Sequence, residues 1–457
     1  MTIAGGGLAG SEAAWQIATR GIPVTLYEMR PQRLTPAHKT DRLAELVCSN
    51  SLKSNAPGAA SWLVKEELRR LGSLLLRLAD ENAVPGGSAL AVDRERFPDA
   101  VTRAIECHPL IELRRAELLK IPFQGFTLIA TGPLTSDTLA RELQSLTGAG
   151  SLAFYDSISP IVDAETLNME RIFRASRYGK GGEDYLNCPM NGEEYRVFYE
   201  ALRAAEAVET HAFEDARYFE ACLPIEELAR RGVDTLRFGP MKPVGLVDPR
   251  TGRQPYAVAQ LRTENLRFSS FNLVGFQNHL RFPEQKRILR MIPGLERAEF
   301  LRFGQIHRNT YLNAPRLLAP DLSLRSAPGI YVAGQLSGVE GYVECIASGF
   351  LAGLAIARRA QGATFAPPPR DTALGSLIHF ITHADPANYQ PTNISFDLIP
   401  PVDSLPRAIS RDRRARRDRQ CERALQEAEQ WITTVGGSQP GVGSLLTAIA
   451  ACPAPLV

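Results

Sequence analysis

Glycines at positions 5, 7 and 10, a glutamate at 28 and cysteines at 48, 107, 188, 222, 345, 421 and 452 are the residues whose types and spacing can do chemistry. The glycines suit a diphosphate cradle, and the thiols are potential nucleophiles. In the opening MTIAGGGLAG, Gly5 permits a tight strand-to-helix turn and Gly7 lets backbone N–H groups approach a pyrophosphate. Gly10 lets the helix press onto the sheet, and the helix N-terminus adds partial positive charge. Gly6, Leu8 and Ala9 complete this cofactor-binding loop. The register then continues. Ala14 lies four positions after Gly10, Gly21 closes the helix, and Val24 to Tyr27 reads as a second strand ending in Glu28, whose carboxylate is placed to accept both ribose hydroxyls of an adenosine.

The glycine register alone does not separate FAD from NAD. The choice comes from two later apolar runs. Residues 126–133 read as a buried strand ending in Ala130-Thr131-Gly132-Pro133, and residues 329–335 read as a late strand ending in Gly334-Gln335. Any one of these is an ordinary core strand; three in this order match a two-dinucleotide-fold flavoprotein and favour FAD. The segment from Leu336 through Tyr342 and Val343 then leads into a small-residue helix from about Cys345 to Ala360, whose N-terminal dipole can stabilise negative charge on a reduced flavin.

With 457 residues, 44% of them apolar and 22% charged, the chain has the composition of a globular protein of two or three domains. It holds no run of 18 apolar residues, and its first strand starts near residue 3, so we expect no membrane span, no leader segment and a cytoplasmic location. The cysteines show neither a CxxC pair nor zinc spacing, so neither disulfides nor a structural metal are expected. A net charge of +2 is too near neutral to announce a nucleic-acid partner.

The flavoprotein elements fall in two blocks, 1–150 and 305–365, so residues 151–304 are expected to form an inserted α/β domain that carries the substrate. Within it, residues 179–182 and 248–252 read as turns, and 193–208 and 283–291 have helical periodicity. Residues 366–435 form a C-terminal segment, Pro-rich at first and then, over 405–431, a helix or helices dense in arginine. Eight arginines between Arg407 and Arg423 face only Asp412, Asp418 and Glu422, a pattern that fits a solvated amphipathic helix and an RNA-binding face equally. The tail 436–457, rich in Gly, Ser, Pro and Ala, is expected to be poorly ordered.

Nine segments in order carry a family resemblance: GGGLAGSEAAW at 5–15, VCSNSLKSN at 47–55, ATGPLTS at 130–136, FEACLPIEELARRG at 219–232, FGPMKPVGLVDPRTG at 238–252, QLRTEN at 260–265, NLVGFQNHL at 272–280, GQIHRNTYLNAP at 304–315 and AGQLSGVEGYVECIASG at 333–349. In these the chain resembles the bacterial folate- and FAD-dependent tRNA (uracil-C5)-methyltransferases, which make ribothymidine (5-methyluridine, uridine 54) in the T-loop of tRNA. The larger tRNA wobble-uridine modification flavoproteins are similar to it mainly in the glycine loop and the AGQ segment.

The resemblance implies a glutathione-reductase-like, Rossmann-type FAD domain of class α/β with an inserted domain. It also implies FAD as cofactor, methylenetetrahydrofolate and NAD(P)H as substrates, and tRNA as the macromolecular partner, with no DNA or membrane. Carbon 5 of uracil is a poor nucleophile until a thiolate adds at carbon 6, which converts the ring to an enolate. By the resemblance Cys222 is that thiolate and Cys48 assists near the flavin, although the two roles could be exchanged. The neighbours Glu220, Glu226 and Glu227 oppose ionisation of Cys222, so its activation must come from elsewhere in the fold. His307 is the candidate for stacking on the pterin, Tyr342 lies at the flavin edge, and Lys242, Arg262 and Arg281 are candidates for the glutamate tail of folate. For tRNA the basic candidates are Arg174, Arg177, Lys180 and the cluster from Arg411 to Arg419, and the target base must be flipped out to be reached. The competing readings are a wobble-uridine-modifying flavoprotein, a plain FAD-dependent NAD(P)H oxidoreductase, and a non-catalytic tRNA-binding flavoprotein.

Overall fold

The strands Thr2–Ala4, Thr127–Ile129 and Ala327–Val332 lie side by side and parallel, with Ile3 opposite Leu128 and Leu128 opposite Tyr331. The structure is a computed structural model describing residues 1–148, 152–157, 159–180, 182–207, 223–304, 306–387, 389–403, 406, 409 and 411–435, with the backbone alone for 152–157 and 306–310. The first sheet runs Ser323–Leu324, Ala327–Val332, Thr127–Ile129, Thr2–Ala4, Val24–Tyr27, Ile111–Arg114. All its pairings are parallel except the first. Buried on both faces, its central strands are near-continuous apolar runs.

One helix lies deep in this layer. All eleven residues of Leu8–Ala18 are buried, and it packs along the nineteen-residue helix Tyr342–Ala360. Backbones touch here because the contact residues are small. A Cβ at Gly349 would lie 2.2 Å from the Ala9 carbonyl oxygen, and one at Gly353 would lie 2.9 Å from Ala13 Cα. The long helix begins three residues before the expected Cys345, so Tyr342 and Val343 form its first turn.

The second sheet is antiparallel, ordered Phe173–Arg174, Tyr185–Met190, Ala257–Thr263, Ser270–Leu273, Ile161–Asp163, Phe300–Arg302. The helices Gly192–Arg203 and Phe282–Leu289 supply residues to its separate core, in which Cys188, Phe198, Leu261 and Ile288 are fully enclosed. Asn191 starts the first of these helices by accepting the N–H groups of Glu193 and Glu194, while Glu194 accepts the Asn191 N–H, so the helix starts one residue before the expected 193. Strands Leu152–Ser157 and Ile306–Tyr311 pair antiparallel where the chain enters and leaves this part of the protein.

The arginine-rich helix spans Arg413–Val435, shifted from the expected 405–431. Its buried stripe, Cys421, Ala424, Ala428, Trp431 and Val435, has alternating spacings of three and four residues, and Trp431 Nε1 donates to Ala366 O at 2.9 Å. The tail 436–457 lies outside the described residues. Cys48, Cys188, Cys345 and Cys421 form no disulfide. Cys107 is disulfide-bonded, which corrects the expectation of no bridge at that position.

Buried charges lock the segment after Cys48. Lys65 Nζ donates to Leu52 O at 2.7 Å, Ser54 O at 2.8 Å and Lys53 O at 3.3 Å, which uses its three N–H groups on the strand Ser51–Ser54. Burial pulls its ammonium down to about 7. Unfolded lysine titrates near ~10.4, so between these values the unfolded chain binds the extra proton and stability rises with pH. We expect the stability difference between wild type and Lys65→Met to grow in favour of wild type from about pH 7 to ~10, read as the difference in Tm by scanning calorimetry. A constant difference over that range would refute the assignment.

Candidate functional site

Two helix N-termini without side-chain caps open on one cleft. Gly7 is the N-cap of Leu8–Ala18 and Gly341 that of Tyr342–Ala360, and neither helix start has a side-chain acceptor. First-turn N–H groups therefore remain for a ligand, and both helix dipoles favour negative charge there. Two of the glycines are required by contact. A Cβ on Gly5 would lie 2.5 Å from Ala130 O, and one on Gly10 only 1.9 Å from Gly5 O.

The cleft wall includes Gly5, Gly7, Leu8, Ala9, Glu28, Thr131, Gly132, Gly334, Gln335 and Tyr342. Gly6 lies behind it with its N–H donated to Glu28 Oε2 at 3.0 Å, and Gly10 is buried at the helix–sheet contact. The Val343 side chain is fully in the core, which leaves only its backbone for a ligand. A cleft with free N–H groups at both helix starts and no room for a Cβ at Gly5 or Gly10 fits the diphosphate of a dinucleotide.

Glu28 is more engaged than its position in the sequence suggests. Its Oε1 accepts Arg30 Nε at 2.9 Å and Arg30 N at 3.1 Å, and its Oε2 accepts Arg30 Nη2 at 3.1 Å besides Gly6 N. Desolvation pushes the carboxyl up, but the hydrogen bonds and charge of Arg30 outweigh it and hold Glu28 below the usual range. Arg30 is 2% exposed and also donates to Glu45 Oε2 at 3.0 Å and Thr40 O at 3.1 Å. Nearby His38 is drawn down to about 4, first by burial and then by the charge of Arg30, so it is neutral at physiological pH. Sequence reasoning missed Arg30, Glu45 and His38. The signal was slight: an arginine two residues after the strand-terminal acid, in a turn.

Cys48 adjoins the cleft wall at Tyr342. Its backbone N–H donates to Tyr342 Oη at 2.7 Å, and the Ser49 N–H to the same oxygen at 3.2 Å. Tyr342 is held neutral, its phenol raised mainly by burial. Burial also pushes up the thiols of Cys188, Cys345 and Cys421, so Cys345 meets the cleft as a protonated thiol. Cys222 lies outside the described residues. His307 sits in the strand Ile306–Tyr311 opposite Asp156, and its side chain is likewise outside the described set.

Of the folate-tail candidates, Arg262 is buried and donates to Asn50 Oδ1 at 3.0 Å, Arg281 is exposed and paired with Glu206 at 2.8 Å, and Lys242 is half-buried. Arg177 is committed to Gln260 at 2.9 Å and Val244 O at 3.0 Å, whereas Arg174 and Lys180 are exposed. On the C-terminal helix Arg417 covers the Phe396 ring and Arg423 pairs with Asp371, leaving Arg413, Arg414, Arg416 and Arg419 exposed along with Arg411 just before it. Among the described residues no helix is long and apolar enough to cross a membrane, and no group of three or more His, Cys, Asp or Glu could hold a metal ion.

The parallel sheet, glycine turn and uncapped helix starts define a flavoprotein-type dinucleotide fold, and the family model for glucose inhibited division protein A matches residues 1–364. Crystal structures of Aquifex aeolicus GidA share the fold, with a TM-score of 0.66 at 15% identity over 98% of this chain and 75% of that one. Relatives named methylenetetrahydrofolate–tRNA-(uracil-5-)-methyltransferase TrmFO are 60% identical in Solibacter usitatus (94% of this chain, 98% of the relative) and 56% identical in Geobacter sulfurreducens (95% and 99%). The chain belongs to the TrmFO family.

Replacing Arg30 by Met leaves Glu28 and Glu45 as buried carboxylates without their guanidinium. Breaking such a pair typically costs ~3–5 kcal/mol. Arg30→Met should therefore purify with little flavin and a much lower Tm, both measurable by absorbance and thermal melts. Full flavin content would exclude this role.

Proposed function

We propose that the protein is a methylenetetrahydrofolate- and FAD-dependent methyltransferase that forms 5-methyluridine at uridine 54 in the T-loop of tRNA. The observation that carries this reading is the cleft with two uncapped helix starts, Tyr342 in its wall and Cys48 hydrogen-bonded to Tyr342, in a chain that is 60% identical to a TrmFO protein over nearly its full length. Gly5, Gly7, Leu8 and Ala9 would hold the FAD diphosphate and Glu28 the ribose, with Gly334, Gln335, Tyr342 and Val343 at the flavin end. When bound, FAD carries the folate-derived carbon and supplies the reducing equivalents that complete the methyl group, with NAD(P)H as their source.

The chain's own residues do the remaining work. Cys222 thiolate adds to uracil C6, and the electron pair moves through C5 to the C4 oxygen, so that C5 can attack the one-carbon electrophile. Loss of the C5 proton and expulsion of the thiolate restore the ring and the enzyme. Cys48 assists this proton movement, and His307 stacks on the pterin. The part of the chain built on the second sheet, 151–304, serves as the substrate domain, and the exposed arginines around residues 411–419, with Arg174 and Lys180, supply the tRNA surface. Such an enzyme works with tRNA in the cytoplasm.

The first test is transfer of labelled carbon from methylenetetrahydrofolate to a T-loop transcript with FAD and NADPH. Wild type should methylate uridine 54, Cys222→Ala should bind FAD but transfer nothing, and Cys48→Ala should lose about a hundredfold, the lower end of the range for an assisting proton-transfer group. Absence of transfer by a wild-type protein that is reduced by NADPH would favour the plain oxidoreductase reading. Methyl transfer to C5 of a wobble uridine would reassign the substrate position.

Charge reversal of Arg413 and Arg416 to Glu should weaken tRNA binding and flatten its salt dependence, since each phosphate contact contributes a slope of roughly 0.7–0.9. Unchanged KM and salt slope would remove this helix from the interface.

A further inference from the structure

A largely buried charged cluster near Cys48 ties the turn before the helix Arg96–Glu106 to the second sheet and has no role in the chemistry above. Arg94, just before the helix Arg96–Glu106, donates through Nε to Glu264 and through Nη1 to Leu46 O, two residues from Cys48. Glu264 is 2% exposed and is held on its other oxygen by Asn272 Nδ2. This leaves Arg94 Nη2, which is buried without a hydrogen-bond partner among the described residues. Arg302 stands on the second sheet within electrostatic reach of Arg94, Tyr342 and Cys48. Its Nη2 donates to Ala37 O at 3.4 Å, its Nε is also buried without a partner, and it makes no ion pair among the described residues.

We propose that Arg94 and Arg302 are positioning residues that hold Cys48 as a thiolate in the resting protein. Arg94, in the turn before the helix Arg96–Glu106, and Arg302, on the second sheet, each keep a buried N–H unspent, and a buried unspent donor is costly unless an acceptor arrives. Tyr342 supports the same outcome. Its oxygen already accepts the Cys48 and Ser49 N–H groups, so its own proton remains to be donated. Burial lowers the Arg302 guanidinium and Arg94 lowers it further, while Tyr342, Cys48 and Glu45 raise it. Arg94 is opposed by burial but held above its usual range by Glu264, with Tyr342 and Cys48 contributing. Among the described residues the charged and titratable groups facing the turn are Arg94 and Arg302, with Glu264 paired to Arg94, Glu45 bound to Arg30, and neutral Tyr342.

A thiolate at this position is ready to accept a proton before any substrate arrives. That use rests on the methyltransferase reading, but the ionisation does not, and it can be measured without folate or tRNA. The experiment follows iodoacetamide alkylation of the FAD-bound protein from pH 5.5 to 9.5, with modification at Cys48 quantified by peptide mass spectrometry and Cys48→Ala as control. Wild type should show a midpoint at or below about 7.5, as for thiols beside arginine. Arg302→Gln should move the midpoint towards ~8.5 and slow alkylation at pH 6.5 by about tenfold per unit moved, whereas Arg302→Lys should keep most of the effect.

Arg94 is tested in the double variant Arg94→Met/Glu264→Met, which removes the ion pair without stranding a buried carboxylate. It should raise the midpoint in the same direction. A wild-type midpoint near ~8.5, or an Arg302→Gln protein with full flavin content and an unchanged profile, would overturn the proposal. If Arg302→Gln loses its flavin, the wild-type profile and the double variant decide. Failure of methyl transfer with a low midpoint would count against the proposed function and leave this inference standing.

Discussion

Backbone contact between the helices Leu8–Ala18 and Tyr342–Ala360 is the constraint from which the rest of the site follows. Gly349 and Gly353 allow the second helix to lie on Ala9 and Ala13 with no side chain between them. Because the helices are locked this closely, both of their uncapped N-termini open on the same cleft. Larger residues at either glycine would separate the helices and pull the two sets of N–H groups apart.

A second layer of constraint is electrostatic. Arg30 is enclosed by Glu28, Glu45 and the Thr40 carbonyl, which ties the end of the second strand to the loop that leads to Cys48. Further on, Lys65 takes hold of three consecutive carbonyls at 52–54, and Lys53 reaches Glu344 at 2.8 Å in the first turn of the long helix. The chain around Cys48 is thus fixed from both sides by buried charges whose donors and acceptors are largely paired. Such networks resist substitution because removing one member strands another.

The same logic ties the second sheet to the segments around Cys48 and Arg94. Arg94 and Glu264, with Asn50 donating to Val92 O and Thr263 O and accepting from Arg262, place polar contacts across a boundary that apolar packing alone would leave free to slide. Arg262, which the sequence offered as a partner for a folate carboxylate, is used for this join. Directional bonds fix one relative orientation, and Cys48 lies at that boundary.

Sequence by itself determined the local elements and the cradle. The glycine spacing, the apolar strands and the strand-terminal Glu28 are short-range patterns, since a turn needing no Cβ or a buried strand shows itself within about ten residues. Nine ordered segments carried the family resemblance. Tertiary structure alone decided the partnerships. Arg94 and Glu264 are 170 residues apart, and Cys48 and Tyr342 are 294 apart. No periodicity reports such pairs, because their energy arises only when the folded core excludes water and lowers the local dielectric. Helix limits followed the same division. The start of the Gly192–Arg203 helix is set locally, by the Asn191 and Glu194 cap, whereas the Arg413–Val435 helix was bounded by the surface its buried stripe found to cover.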